Sequence, residues 1–333
     1  MSATRDSQRI VLAGASSLLG AELKSLLEES RFASWDLSLV DEETVAGTLT
    51  EAGGEPAVIQ PVEEGTFERA RLIFFTGSAA FTERNLPAAR ESGATVIDLS
   101  GAALNTPGVQ VWFAMDGVGN NADKHKTLYA VSSAPGLATA KLLAALAAAD
   151  LSRLSLIFFR HVSEAGRPGI EELESQTTQL LSFQPAGQPV FDTQVAFNLI
   201  DRFGPASREN LQSVRARIRS EAGIAAARNS VQPSIQVLHA PVFYGYTFAA
   251  IAELNSKSSR DTLAEICRKA GFTLNSDENS PLGNLNASGD SAIHLAIPES
   301  DPAQPDAWWF WGAADNVRVP ASTAIKLAEK LAE

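Results

Sequence analysis

The chain has 333 residues, 45% of them apolar, and 27 basic against 39 acidic side chains give a formal net charge of −12. That length points to two domains rather than one growing core, and the acidity argues against a broad nucleic-acid-binding surface. No run approaches the roughly 20 apolar residues that cross a bilayer, and a single cysteine excludes an intrachain disulfide framework.

In chain order, residues 10–13 read as a short buried strand, followed by GASSLLG over 14–20 and a helix to about residue 29. Strand, glycine turn and helix together are the context of a dinucleotide fingerprint. Gly14 takes the tight turn and Gly20 lets the helix pack closely. Ser16, Ser17, Leu18 and Leu19 occupy the positions whose N–H groups would face a pyrophosphate, and Ser17 stands in the middle fingerprint position. A purely structural turn remains open as the alternative. The strand 37–40 ends in Asp41, Glu42 and Glu43; an acid there accepts from an adenosine ribose hydroxyl and repels a 2′-phosphate. NAD is therefore favoured over NADP if either binds, and a solvated loop is the alternative.

Residues 44–66 read as a loop or edge hairpin. A central strand over 71–75 leads into Thr76-Gly77-Ser78, and a helix over 79–92 is expected to break early, around Pro87. Further strands follow at 95–99, 109–113 and 127–131, with a polar loop at 117–126 whose His125 reads as solvent-facing. The repeated alternation indicates a doubly wound, Rossmann-like parallel sheet.

The stretch YAVSSAPGLATAKLLAALAAA, 129–149, is a second βα turn, with Leu137 just inside the new helix where covalent catalysis would place a nucleophile. Beyond it come a strand over 154–161 and a helix whose Glu171 and Glu172 suit the exposed first turn. Its apolar stripe is read as Ile170, Leu173, Thr177, Leu180 and Leu181. Residues 194–200 are a strand or an extended link. Residues 210–227 form an amphipathic helix whose Arg215, Arg217 and Arg219 read as a wet face. Strands at 235–242 and 248–254 look paired around the 243–247 turn. Cys267, on a short helix over 261–270, reads as packing. Strands at 291–297 and 307–312, the latter with Trp308, Trp309 and Trp311, precede a final helix over 321–331. The histidines at 125, 161, 239 and 294 lack metal-ligand spacing, so no structural metal is expected. With one cysteine and no visible targeting segment, a cytoplasmic protein is expected.

The order of segments resembles the aspartate-semialdehyde dehydrogenase family, and within it the USG-1-like paralogues. The motifs that carry the resemblance are GASSLLG, VIDLSG (96–101), SSAPGLAT (132–139), VSEAGRPGIEELESQT (162–177), AFNLI (196–200), APVFYGYT (240–247) and WFWGAADNVRVPASTAIKLAEKL (309–331). The resemblance implies a nucleotide-binding domain over 1–133, an α/β dimerisation domain over 134–315 and a C-terminal helix, 316–333, returning to the first domain. It implies reductive dephosphorylation of aspartyl phosphate with NADPH through a cysteine thiohemiacetal and thioester.

This chain departs from that pattern. The family cysteine falls on Leu137, the orienting glutamine on Arg160, the acid/base histidine on Tyr246, a substrate arginine on His239 and the phosphate-loop arginine on Leu104. Asn316 retains the asparagine near the cofactor ring. The combined expectation is a homodimeric dehydrogenase-like protein without normal phosphorylating activity. It binds NAD, less readily NADP, or no nucleotide, together with a small-molecule ligand, and neither nucleic acid nor membrane. An oxidoreductase using Tyr246, His239 or Arg160 on another small substrate, and a structural partner of an active homologue, are the alternatives.

Overall fold

The computed structural model describes residues 8–115, 122–227, 231–277 and 280–332; residues 117–121 of the polar loop at 117–126 lie outside them. Two compact units share the chain. One holds the described residues of Met1–Ala114, Gly119–Ser132 and Pro320–Glu333, the other those of Met115–Val118 and Ser133–Val319.

The first unit runs β1 (Arg9–Ala13), α1 (Leu18–Glu29), β2 (Asp36–Asp41), a hairpin of β3 (Leu49–Ala52) and β4 (Glu55–Val58), β5 (Gln60–Pro61), β6 (Leu72–Phe75), α2 (Ala79–Glu91), β7 (Thr95–Asp98), β8 (Gln110–Trp112) and β9 (Leu128–Val131). Apart from the hairpin, its strands form a seven-stranded parallel sheet in the order β5-β2-β1-β6-β7-β9-β8. Strands buried on both faces need apolar residues at every position, which is why they read as unbroken runs. Alternate residues serve opposite cores. Ile10, Leu12, Phe74, Ile97 and Tyr129 pack with Leu23 and Leu27 of α1, whereas Val11, Ala13, Ile73, Phe75 and Val96 pack with Phe81, Leu86 and Ala89 of α2.

The helix α2 does not break at Pro87. Pro87 is exposed, and so is Glu83, the residue one turn back to whose carbonyl Pro87 cannot donate.

The second unit runs α3 (Ala134–Ala147), β10 (Leu151–Arg160), α4 (Gly166–Leu181), α5 (Leu211–Ala226), β11 (Ser234–His239), β12 (Tyr246–Leu254), α6 (Arg260–Lys269), β13 (Phe272–Asn275), α7 (Asn284–Ala287), β14 (Ile293–Ala296), β15 (Glu299–Ser300) and β16 (Ala307–Ala314). Its mixed sheet is ordered β11-β10-β12-β16-β14-β13, with β15 pairing β16. The two strands flanking the 243–247 turn are therefore not partners. β10 lies between them, and the link from β11 to β12 crosses its end, with Ala240 N–H donating to the Arg160 carbonyl. α8 (Arg318–Ala332) closes the chain, and its Ala321, Ala324, Leu327 and Ala328 join the core of Ile10 and Leu12.

On α4 the buried side is Gly169, Glu172, Leu173 and Gln176, while Leu181 is exposed. The predicted stripe fails because Glu172 and Gln176 point inward to bind the irregular segment that follows. Glu172 accepts from Val190 N–H, and Gln176 accepts from Val195 and Ala196 N–H and donates to the Gly187 and Thr193 carbonyls. Residues 194–200 are neither a strand nor an extended link: a turn at 196–197, with Phe197 at φ +58°, interrupts them, and one bridge joins Ile200 to His239. The face of the second sheet away from α3 and α5 carries Ile157, Trp309 and Trp311, each about two-fifths exposed, whereas Trp308 is buried.

Gly14 has φ +94°, and a Cβ built there would lie 2.1 Å from the Gly77 nitrogen. Both the left-handed backbone and the close approach exclude a side chain, so Gly14→Ala is expected to cost roughly 2 kcal/mol or more. Urea denaturation of the variant measures this; unchanged stability would show that the turn adapts.

Candidate functional site

In the second unit, strand register assembles one row of polar side chains at the end of the sheet. Arg160 of β10 lies opposite His239 of β11, and the antiparallel register pairing Phe159 with Thr247 sets Tyr246 beside Arg160 on its other flank. Alternation along each strand turns all three toward the face of Phe158 and Phe248. Arg160 is 1% exposed, Tyr246 2% and His239 0%.

The Arg160 guanidinium donates from Nη2 to Glu209 Oε2 at 2.6 Å, with Glu164 3.9 Å from its Nε, and its Cζ sits 5.8 Å from the centre of the Phe203 ring. Among the described residues its Nε and Nη1 have no hydrogen-bond partner, nor do His161 Nε2 and His239 Nδ1. The His161 ring lies edge-on to Tyr246, 4.8 Å between centroids, and its Nδ1 is 2.7 Å from Ser163 Oγ.

Burial favours the uncharged form of every titratable group in this row. It drives Tyr246 well above the usual phenol value, with Glu164 adding to the shift, so the hydroxyl stays protonated. Burial, Arg160 and His239 hold His161 well below the usual imidazole value. His239 falls to about 4, through burial first, the Val195 carbonyl opposing and Arg160 reinforcing. Burial also opposes the Arg160 charge, but Glu164 and Glu209 outweigh it and the guanidinium stays charged.

The same region holds the amino end of α3. Ser133 caps it, accepting from Gly136 N–H, while its hydroxyl donates to Glu221 Oε2 at 2.5 Å and its N–H to Glu221 Oε1. Glu221 is fully buried and also accepts from Arg217 Nε at 3.1 Å. A carboxylate there meets the positive end of the helix field. The arginines of α5 are a wet face only in part: Arg219 is exposed and reaches the Ile235 carbonyl, whereas the half-buried Arg217 binds Glu221 and the half-buried Arg215 donates to Gln236 Oε1. Sequence reading missed Glu221, although a charge on the stripe of Ile218, Ala222 and Ala225 signals a buried partner. Leu137, one turn into α3, is 4% exposed. The sequence's single cysteine, Cys267, is buried on α6, where desolvation raises its thiol to about 12.

Asn316 is committed to backbone and hydroxyl, accepting from Gly245 N–H at 2.9 Å and donating to Ser163 Oγ at 3.4 Å.

In the first unit, β1 is flanked by β2 and β6, the strands from which the chain departs in opposite directions, and two helix amino ends meet there. Ser17 caps α1 and Ser78 caps α2. The Ser17 hydroxyl accepts from Gly20 N–H and lies within donating distance of the Gly14 and Thr76 carbonyls. Leu18 and Leu19 supply first-turn N–H groups that a helix cannot satisfy internally, so this donor set fits a nucleotide diphosphate. Asp41 is 5% exposed and turned inward, accepting from Ser16 and Glu42 N–H at 2.8 Å each. Leu104 is buried in a short helical turn over Ala102–Asn105.

The semialdehyde dehydrogenase NAD-binding domain matches residues 9–118 and the dimerisation domain of the same family matches residues 142–319. The chain belongs to the semialdehyde dehydrogenase family. It is 28% identical over 332 residues to a USG-1 protein homologue of Azotobacter vinelandii, covering 97% of each chain. It is 24% identical to aspartate-semialdehyde dehydrogenase 2 of Vibrio cholerae, again over 97% of each. A probable aspartate-semialdehyde dehydrogenase structure from Pseudomonas aeruginosa superposes with a TM-score of 0.85 at 26% identity, covering 98% of both chains. The semialdehyde dehydrogenase fold thus spans both units, and its NAD(P)-binding domain is present. Among the described residues no helix is long and apolar enough to cross a membrane, and no group of three or more His, Cys, Asp or Glu could hold a metal.

The two buried histidines give an acid-sensitive stability. Folded His239 stays neutral to about pH 4, whereas unfolded histidine protonates near 6.5, so unfolding takes up a proton between those values. The contribution is complete above pH 6.5 and lost as pH falls, at up to about 1.4 kcal/mol per pH unit for each histidine. Urea denaturation between pH 7 and 5 should show this slope, and His239→Leu should reduce it by about one proton. An unchanged slope in the variant would show that His239 titrates normally.

Proposed function

We propose that the protein is a homodimeric semialdehyde dehydrogenase homologue that has lost the phosphorylating, cysteine-dependent reaction and keeps a binding or assembly role. The observation that carries this is Leu137 at the amino end of α3. A leucine side chain offers no atom to form a thiohemiacetal, and Cys267 is buried in α6 with its thiol held protonated. The replaced partners support the same reading, since efficient acid/base work at neutral pH needs a group that titrates near 7. Tyr246 and His239 are both displaced far from it.

The first domain binds NAD in preference to NADP. Leu18 and Leu19 N–H groups would hold the diphosphate over the turn that the Ser17 hydroxyl ties to the Gly14 and Thr76 carbonyls, and Asp41 to Glu43 discourage a 2′-phosphate. The bound cofactor would supply hydride chemistry; this chain's residues would only hold and orient it. With one buried cysteine, a reducing, cytoplasmic setting follows.

A second reading is supported by the row itself. Arg160, His239 and Tyr246 converge on one face, and a protonated Tyr246 could donate a hydrogen bond to the oxygen of another aldehyde or ketone. Tyr246→Phe abolishing NAD-linked turnover of some small carbonyl compound would favour that reading over the first.

With aspartyl phosphate and NADH or NADPH, or with aspartate semialdehyde, phosphate and NAD or NADP, purified protein should show no turnover above background. Leu137→Cys alone should remain at least about 100-fold below a cysteine enzyme, because the acid/base group is still Tyr246. Wild-type turnover at ordinary enzyme rates overturns the proposal.

Dimerisation rests on the family domain and on the half-exposed Ile157, Trp309 and Trp311, which a second copy of the same face would cover. Sedimentation velocity should give about twice 35.3 kDa, and Trp311→Asp with Ile157→Asp should return the chain to one mass. A wild-type monomer would remove the dimer from the proposal.

A further inference from the structure

At the carboxyl end of β2 two consecutive acids behave differently. Asp41 is buried and spent on the Ser16 and Glu42 N–H groups. The Glu42 side chain instead leaves the strand and meets Arg84 of α2, with Arg84 Nη2 3.0 Å from Glu42 Oε1. β2 and β6 are separated by β1, so the pair joins the end of β2 to the helix after β6 across two strand spacings, roughly 10 Å of sheet. That is the side of a doubly wound sheet on which the adenosine half of a dinucleotide lies, because the ribose is met at the end of the second strand.

Both partners are substantially exposed, the Arg84 side chain 59% and the Glu42 side chain 40%, so the pair is weakly held and exchangeable. Arg84 is thus a cation held loosely at the end of β2 by Glu42, whereas the adjoining Glu43 is an exposed acid. An arginine at this place receives a 2′-phosphate, and a carboxylate already on that arginine competes with it.

We propose that the Glu42–Arg84 pair is the nucleotide selector of the first domain: Glu42 occupies the guanidinium that a 2′-phosphate would otherwise take. This rests on the reading that the domain binds a nicotinamide dinucleotide. It differs from simple repulsion by the acids, because selection here depends on Arg84. Removing Glu42 alone converts the site from one that rejects a 2′-phosphate to one that receives it.

The test is direct binding by titration calorimetry of NAD, NADP and 2′,5′-ADP to the full-length wild type, Glu42→Gln, Arg84→Gln and the double variant. The pair is exposed, so folding should be unaffected; circular dichroism and melting temperature check this. The expected result is a shift of the NADP-to-NAD affinity ratio by about threefold to fivefold toward NADP in Glu42→Gln, the most that an exposed pair can withhold. Most of that shift should be lost in the double variant, with 2′,5′-ADP following NADP. A ratio unchanged in Glu42→Gln, or a shift that survives removal of Arg84, overturns the selector while leaving nucleotide binding intact. No binding of any of the three ligands to any of the four proteins overturns the underlying reading and the selector with it.

Discussion

The guanidinium of Arg160, 1% exposed at the end of β10, is the constraint on which much of the second unit depends. An uncompensated charge in that position is untenable, and the cost of leaving one partner of a buried pair alone is about 3–5 kcal/mol. The partner, Glu209, belongs to an irregular segment that can offer it only if the segment is fixed. Fixing it falls to α4, whose Glu172 and Gln176 turn inward and satisfy the N–H groups of Val190, Val195 and Ala196. Phe191 and Phe203 are thereby set against His239, and Phe203 against Arg160. Two buried polar residues on one helix, a loop without regular structure and one salt bridge thus form a single dependent series.

A parallel constraint operates at α3. The first turn of a helix is a place for negative charge, and in this chain the charge is the Glu221 carboxylate, shared among Ser133 N–H, Ser133 hydroxyl and Arg217. The positive end of the α3 field is already met by the buried Glu221 side chain supplied by α5. The arrangement is stable without any reacting group, and Leu137 contributes to it as core.

The fold was legible where burial alone decides. The strands of the first sheet, covered on both faces, show as apolar runs, and Ser17 and Ser78 mark the helix starts they cap. It was illegible where a partner distant in sequence decides. The inward face of α4 includes Glu172 and Gln176 because residues 187–196 bind there, and no periodicity along α4 contains that information. Nor does local pattern reveal that β10 separates β11 from β12. In the site, Arg160, His239 and Tyr246 were reached through family resemblance, and only strand register shows them as one row. Glu221 carried a local signal, a charge on an apolar stripe; Glu209 and the Glu42–Arg84 pair carried none, since each depends on a contact more than 40 residues away.

The groups in the row share a physical direction that bears on their chemistry. A working acid/base site holds at least one group near the middle of its titration, so that a proton can be given and retrieved at similar cost. Here the phenol of Tyr246 is held protonated, the imidazoles of His161 and His239 neutral, and the guanidinium of Arg160 charged. Each is fixed in one protonation state at neutral pH, and desolvation is the leading cause for the phenol and both imidazoles. In the first unit the contrast is chemical: its donors are backbone N–H groups and a serine hydroxyl, which need no titration to hold a phosphate. The donors of the first unit therefore do not depend on the protonation states that burial fixes in the second.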